Sequence, residues 1–386
     1  MSNQPLIATA ITPAILIGAC ELEPTEVGLL PHRLPAWARV QNVDAQLAMA
    51  EAQPSGVRFE FRTASTVIEL DTLPTKRDYI GMPARPAGVY DLRINGILSR
   101  QETAQGGKTL RINMATGSTE IEAGPIQTLR FADLPYGEKT VEIWLPHNET
   151  TELVALRSDA PIAALPDTAK RQWLHYGSSI SQGSNAASPT GIWPVVAATA
   201  ANVNLRNLGF GGSAVLDPFV ARTIRDTPTD LISLKIGINL VNLDVMRLRA
   251  FVPAVHGFLD TIRDGHPTTP LLVISPILCP IHETTPGPSM PDTAALQDGR
   301  MSFLASGTAD DVARGKLTLS VIRTQLRDIV ASRIDNHLHY LDGTELYGPD
   351  DAESLPLPDQ LHPDSAAQKL IGERFADLVF KTGPFL

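Results

Sequence analysis

Two hydrophobic periods divide the chain. From about residue 35 to 160 apolar and polar positions alternate over short runs, the period of half-buried strands, as in Val57-Arg58-Phe59-Glu60-Phe61 and Val67-Ile68-Glu69-Leu70. The run Val89-Tyr90-Asp91-Leu92-Arg93-Ile94 leads into Asn95-Gly96, a strong hairpin signal. Further strands are expected over 126–131, 140–145 and 152–156. Many short strands with no helical period between them predict an all-β, jelly-roll-like sandwich over residues 1–165.

After an Ala- and Pro-bearing linker over 160–167 the texture changes to alternating strands and helices. Strands are predicted over 172–176, 203–208, 231–236, 271–275 and 337–341, and helices over 194–201, 218–226, 245–264, 317–334 and 365–380. That order predicts an α/β domain over 166–386, a three-layer, flavodoxin-like, doubly wound parallel sheet with right-handed crossovers. Such sheets gather reactive groups at the carboxyl ends of their strands. Residues 276–314 are too long and too rich in Pro and Gly for a plain connection, and read as a lid or binding loop.

At 386 residues two domains are the first expectation, and 43% hydrophobic with 19% charged residues is ordinary for a globular protein. The net charge of −10, without a basic stripe, argues against nucleic acid as a partner. Cys20 and Cys279 fall in different predicted domains, a usage that fits a reducing compartment. Ile17-Gly18-Ala19-Cys20 loosely resembles a lipoprotein cleavage box, but no Lys or Arg precedes the apolar run and Pro13 interrupts it, so a cytoplasmic location is expected. No apolar stretch reaches the length of a membrane span, and there are no internal repeats.

Four segments carry candidate chemistry at strand ends of the second domain. Gly177-Ser178-Ser179-Ile180-Ser181 follows the first strand and opens a helix, which lifts a serine hydroxyl out of the sheet among backbone N–H groups. Asn207-Leu208-Gly209-Phe210-Gly211-Gly212-Ser213 follows the second and Gly237-Ile238-Asn239 the third. Asp359-Gln360-Leu361-His362-Pro363 precedes the last helix. Acyl transfer needs a nucleophile, a base, an orienting carboxylate and donors for the oxyanion. Ser179, His362 and Asp359 fit the first three roles. The N–H groups of Ser179 and Gly212 with the Asn239 amide fit the fourth.

With these four blocks in this order, residues 170–382 resemble the SGNH (GDSL-type) hydrolase superfamily, whose blocks carry Ser, Gly, Asn and His with an Asp three residues before the His. Ser178 stands where the usual block has Asp, which leaves Ser178 and Ser179 as rival nucleophiles; the following Ile-Ser favours Ser179. Leu240 stands where many members have Asp. The β-rich region resembles the N-terminal sandwich of some carbohydrate esterases of the superfamily. The resemblance implies metal-free, cofactor-free ester hydrolysis, with a short acyl ester of a carbohydrate or small polar alcohol as the substrate expected by analogy. A lipase, lysophospholipase or acyltransferase of the same superfamily is the alternative. Trp193 and the 276–314 loop are candidate pocket walls, Trp193 equally a core residue.

Three other readings compete. Gly209-Phe210-Gly211-Gly212-Ser213-Ala214 fits a dinucleotide turn, but no acid ends the next strand to hold a ribose. His337-Leu338-His339 suggests a metallohydrolase, with His175, His256 and His282 as further histidines and no fitting third ligand. A sugar-binding protein with an inactive hydrolase domain is the non-enzymatic reading. The lipase elbow G-x-S-x-G is absent, since Ser181 stands where its last Gly belongs.

Overall fold

A computed structural model describes residues 5–82, 85–113, 116–166 and 170–386, arranged as two compact units. Asp167, the last residue of the predicted linker, lies outside the described residues.

The first unit takes in residues up to Arg33, then Glu51–Ala169 and Ser188–Thr190. It consists of an eight-stranded and a six-stranded sheet. Ile68–Tyr79 is the spine of the larger sheet, antiparallel to Gln127–Phe131 and Thr150–Ser158 and parallel to Lys108–Ile112. In the smaller sheet Val89–Ile94 turns back onto Ile97–Thr103 through Asn95 and Gly96, both with positive φ (50° and 80°), as the hairpin signal requires. The alternation predicted from sequence points one set of side chains inward from each sheet. Phe59, Phe61 and Ile143 of one meet Leu70, Phe131 and Leu156 of the other in a single buried cluster.

The second unit holds five parallel strands: β1 (Gln172–Gly177), β2 (Asn204–Gly209), β3 (Leu231–Lys235), β4 (Leu271–Ile274) and β5 (Leu338–Leu341). Their order is β2-β1-β3-β4-β5, so the chain reverses direction across the sheet at β1 and β3. β3 and β4 are buried at every position; β4 accordingly reads as an unbroken apolar run, while β3 carries Ser233 and Lys235 into the interior.

Residues 34–50 belong to this second unit. They form two helices, α1 (Ala36–Arg39) and α2 (Ala45–Glu51), where sequence texture suggested strands. The physical reason is local: Ala45-Gln46-Leu47-Ala48-Met49-Ala50-Glu51 consists of helix formers, and the Asp44 carboxylate accepts the Gln46 N–H at 2.7 Å. The remaining helices that frame the site are α3 (Ser179–Gln182), α4 (Trp193–Ala201), α5 (Pro218–Asp226), α6 (Ile238–Asn242), α7 (Leu248–Gly265), α8 (Leu319–Ser332) and α9 (Ser365–Phe375). α9 runs on as a π-helical stretch, Ala376–Lys381, rather than as α-helix to residue 380. Trp193 is fully buried among Trp173, His175 and Phe375, which makes it core and not a pocket wall.

Phe61 is fully buried where the two sheets meet. Phe61→Ala is expected to cost the first unit about 3–5 kcal/mol, read as a lower denaturant midpoint, and an unchanged midpoint contradicts the shared core.

Candidate active site

β1 ends at Gly177, and the chain turns at once into α3. Ser178 is the N-cap of that helix: its Oγ accepts the Ile180 N–H at 3.3 Å and is buried in that duty. Ser179 is the first helical residue, and its Oγ lies 2.9 Å from His362 Nε2. The structure therefore separates the two serines: Ser179 faces the histidine, and Ser178 serves the turn.

His362 Nδ1 lies 2.7 Å from Asp359 Oδ2. Asp359 Oδ1 accepts the N–H groups of Leu361 (3.0 Å) and His362 (2.7 Å), a turn that Gln360 permits by taking φ of 66°. Asn185 Nδ2 adds a fourth donor, at 3.2 Å from Oδ2. Burial alone would raise the Asp359 carboxyl pKa, but the His362 side chain and these N–H donors pull it below the usual carboxylate range. An ionised carboxylate at Nδ1 makes that nitrogen the donor, which leaves Nε2 as an acceptor for the Ser179 proton.

The glycine loop after β2 arrives beside this pair. Gly209 closes β2 where a Cβ would meet the Gln182 backbone nitrogen at 2.5 Å, so no larger residue fits against α3. A Cβ on Gly211 would stand 3.7 Å from that of Ser179. The Gly211 N–H donates to Gln182 Oε1 at 2.6 Å. Asn239 joins the loop from α6: its Oδ1 accepts the Ala214 N–H at 3.0 Å, so its Nδ2 is the end left to donate. The next helix begins only at Pro218, so this loop does not open a helix as a dinucleotide turn does.

Beneath α3 lies a buried polar shelf that the sequence did not reveal. His175 contacts Ser181 Oγ through Nε2 (2.8 Å) and Ser233 Oγ through Nδ1 (2.7 Å). Burial, with Lys235 nearby, holds this imidazole well below its ordinary value of 6.5, in the neutral form. Gly177 is required here, since a Cβ would stand 2.3 Å from Ser181 Oγ. Lys235, the last residue of β3, is 3% exposed; burial first, then Arg323, lowers its amine to about 7. Burial pushes the Cys279 thiol up to about 12, so it is no rival nucleophile. Neither cysteine is in a disulfide bond.

The 276–314 excursion is not a bare loop. It contains a small hairpin, Ser289–Pro291 with Phe303–Ala305, which brings the Phe303 ring edge-on to His362 at 6.1 Å. The Phe303 N–H also donates to the Asp359 carbonyl at 3.1 Å. The histidines of the metal reading are engaged elsewhere: His256 with Arg333, and His282 with Thr285 and Ser289. Among the described residues no group of His, Cys, Asp and Glu is placed to hold a metal, and no helix is long and apolar enough to cross a membrane.

Comparison with known families gives a match of residues 170–281 to the GDSL-like lipase/acylhydrolase family. Apart from Ser188–Thr190, the matched segment lies within the second unit. The match holds Ser179, Gly212 and Asn239, while Asp359 and His362 reach the site from beyond it. A solved salicylyl-acyltransferase from a tetracycline biosynthetic pathway is 28% identical, with 96% of this chain and 95% of that one covered at a TM-score of 0.78. A GDSL-like lipase structure from Bacteroides ovatus is 18% identical, covering 96% and 95% at 0.64. An acetyl xylan esterase from the rumen bacterium Butyrivibrio proteoclasticus is 12% identical, covering 97% of each chain at 0.53. These last two share the fold. No curated protein matches.

The buried amine sets a pH signature for the second unit. Between about 7 and its ordinary 10.5, Lys235 binds fewer protons in the folded state than in the unfolded one, so its contribution makes stability rise with pH across that window. Below about 7 the charged amine is buried at full cost. Lys235→Met is expected to be more stable than the parent at pH 6, with the gap closing by pH 10; equal stability of the two proteins at every pH contradicts it.

Proposed function

We propose that this protein is a serine enzyme that cleaves carboxylic esters through an acyl-enzyme. The observation that carries the reading is the continuous hydrogen-bonded line from Ser179 Oγ through His362 to Asp359. Ser179 Oγ attacks the ester carbonyl as His362 Nε2 takes its proton, and Asp359 stabilises the imidazolium. The oxyanion is held by the N–H groups of Ser179 and Gly212 and by Asn239 Nδ2. Collapse expels the alcohol, which receives the proton from His362 and leaves the acyl group on Ser179. Water then attacks with His362 as base, a second oxyanion forms, and the acid departs as Ser179 regains its proton.

The acyl group is proposed to be short, acetyl first, on a carbohydrate or small polar alcohol. Support for the carbohydrate is analogy of architecture with the acetyl xylan esterase. A second reading has its own support: the relative at 28% identity over nearly the whole of both chains is named an acyltransferase. The same residues serve that reaction if an alcohol, rather than water, meets the acyl-enzyme. Nitrophenyl acetate supplied with and without acetyl-accepting sugars and alcohols separates the two. Acetate as the sole product supports hydrolysis, and acetylated acceptor supports transfer.

Ser179→Ala is expected to abolish release of nitrophenol, while Ser178→Ala keeps much of it; the reverse outcome assigns the wrong serine. Asn239→Ala is expected to keep the fold and lower kcat by roughly 100- to 1,000-fold, the usual cost of one oxyanion donor. Unchanged turnover removes Asn239 from the site.

A further inference from the structure

We propose that Gln46, on α2, is a positioning residue that aims the Gly212 N–H at the oxyanion; the assignment rests on the serine acyl-transfer reading above. Gln46 lies far upstream of the 170–281 family match and outside all four motif blocks. Its side-chain amide donates to the Gly211 carbonyl at 2.7 Å. That carbonyl and the Gly212 N–H belong to one peptide unit, which is planar and trans, so the N–H points away from Gln46.

The neighbouring N–H of the turn is already committed. The Gly211 N–H is held by Gln182 Oε1, in the same short helix as Ser179, so it is not free to meet an oxyanion. Gln182 thus holds the Phe210–Gly211 peptide on the nucleophile side, and Gln46 holds the Gly211–Gly212 peptide that follows it. Gly212 takes φ of 73°, a conformation that favours glycine, and a Cβ there would stand 3.3 Å from Gln46 Cγ, so Gln46 lies close against the turn. α2 is a firm base for the clamp: Asp44 caps it, and Leu47 and Ala50 are buried. Without the Gln46 donor the glycine turn can rotate, and the Gly212 N–H loses its preset direction at the moment charge develops.

The test compares Gln46→Ala and Gln46→Glu with the wild-type enzyme on nitrophenyl acetate. Gln46→Ala is expected to lower kcat by roughly 10- to 100-fold, as misplacement of a catalytic group does, with KM and the thermal midpoint little changed. Gln46→Glu places an ionised carboxylate against a carbonyl oxygen at pH 8 and is expected to be as slow as the alanine variant. As the pH falls toward about 5, part of that carboxyl is protonated and donates to the Gly211 carbonyl. The ratio of Gln46→Glu to wild-type kcat at the same pH then rises, while the ratio for Gln46→Ala stays flat, which a packing role does not produce. Wild-type kcat in Gln46→Ala, or a flat ratio for Gln46→Glu, overturns the assignment. If Gln46→Ala fails to fold, the pH dependence of Gln46→Glu alone decides. Ser179→Ala is run alongside: an active Ser179→Ala sinks the serine mechanism itself, whereas an inactive one beside unimpaired Gln46 variants sinks only the role of Gln46.

Discussion

The hydrogen bond between His362 Nδ1 and Asp359 Oδ2, at 2.7 Å, is the constraint on which the rest of the site depends. It fixes which ring nitrogen carries the proton and which can take one from Ser179. An ionised carboxylate so deeply placed survives only if its oxygens are satisfied. Four donors do that: the N–H groups of Leu361 and His362, His362 Nδ1 and the Asn185 amide. The left-handed Gln360 is the local distortion that lets one carboxylate collect both backbone donors.

The nucleophile has a matching support on its own side of the line. His175, neutral and buried, ties Ser181 of α3 to Ser233 of β3, so the turn that presents Ser179 is fastened to the sheet below it. Gly177 and Gly209 allow that closeness because a Cβ at either would strike α3. The low-pKa Lys235 on the same strand is a cost borne next to the site, since a buried amine destabilises the fold whenever it is charged. Rigid strands thus hold the serine, while the histidine arrives on a loop braced by Phe303.

The strands of the α/β unit were legible to within about a residue because buried parallel strands are largely apolar and end at small-residue turns. The motif blocks were legible because they carry chemistry-bearing residues: Ser179 just past a strand end, and Asp359 and His362 in the loop before the last helix. What escaped has no such signature. Helix α2 is only seven residues long and sits inside a β-rich texture, so neither it nor Gln46 stood out. Asn185 reads as an ordinary turn residue, and Lys235 as the polar end of a strand, since the burial that gives each its meaning comes from segments distant in sequence. Trp193, beside Ile192 and Pro194, looked equally like core or pocket wall, and the aromatic packing around Trp173 and Phe375 decides for core.

The central claim is that Ser179 carries the acyl group, and intact-protein mass spectrometry tests it most directly. The enzyme is mixed with excess nitrophenyl acetate and quenched in acid within the first turnover. The account predicts a single added acetyl mass, mapped by fragmentation to the peptide that holds Ser179. Turnover without any adduct on Ser179, or with the acetyl group on another residue, contradicts it.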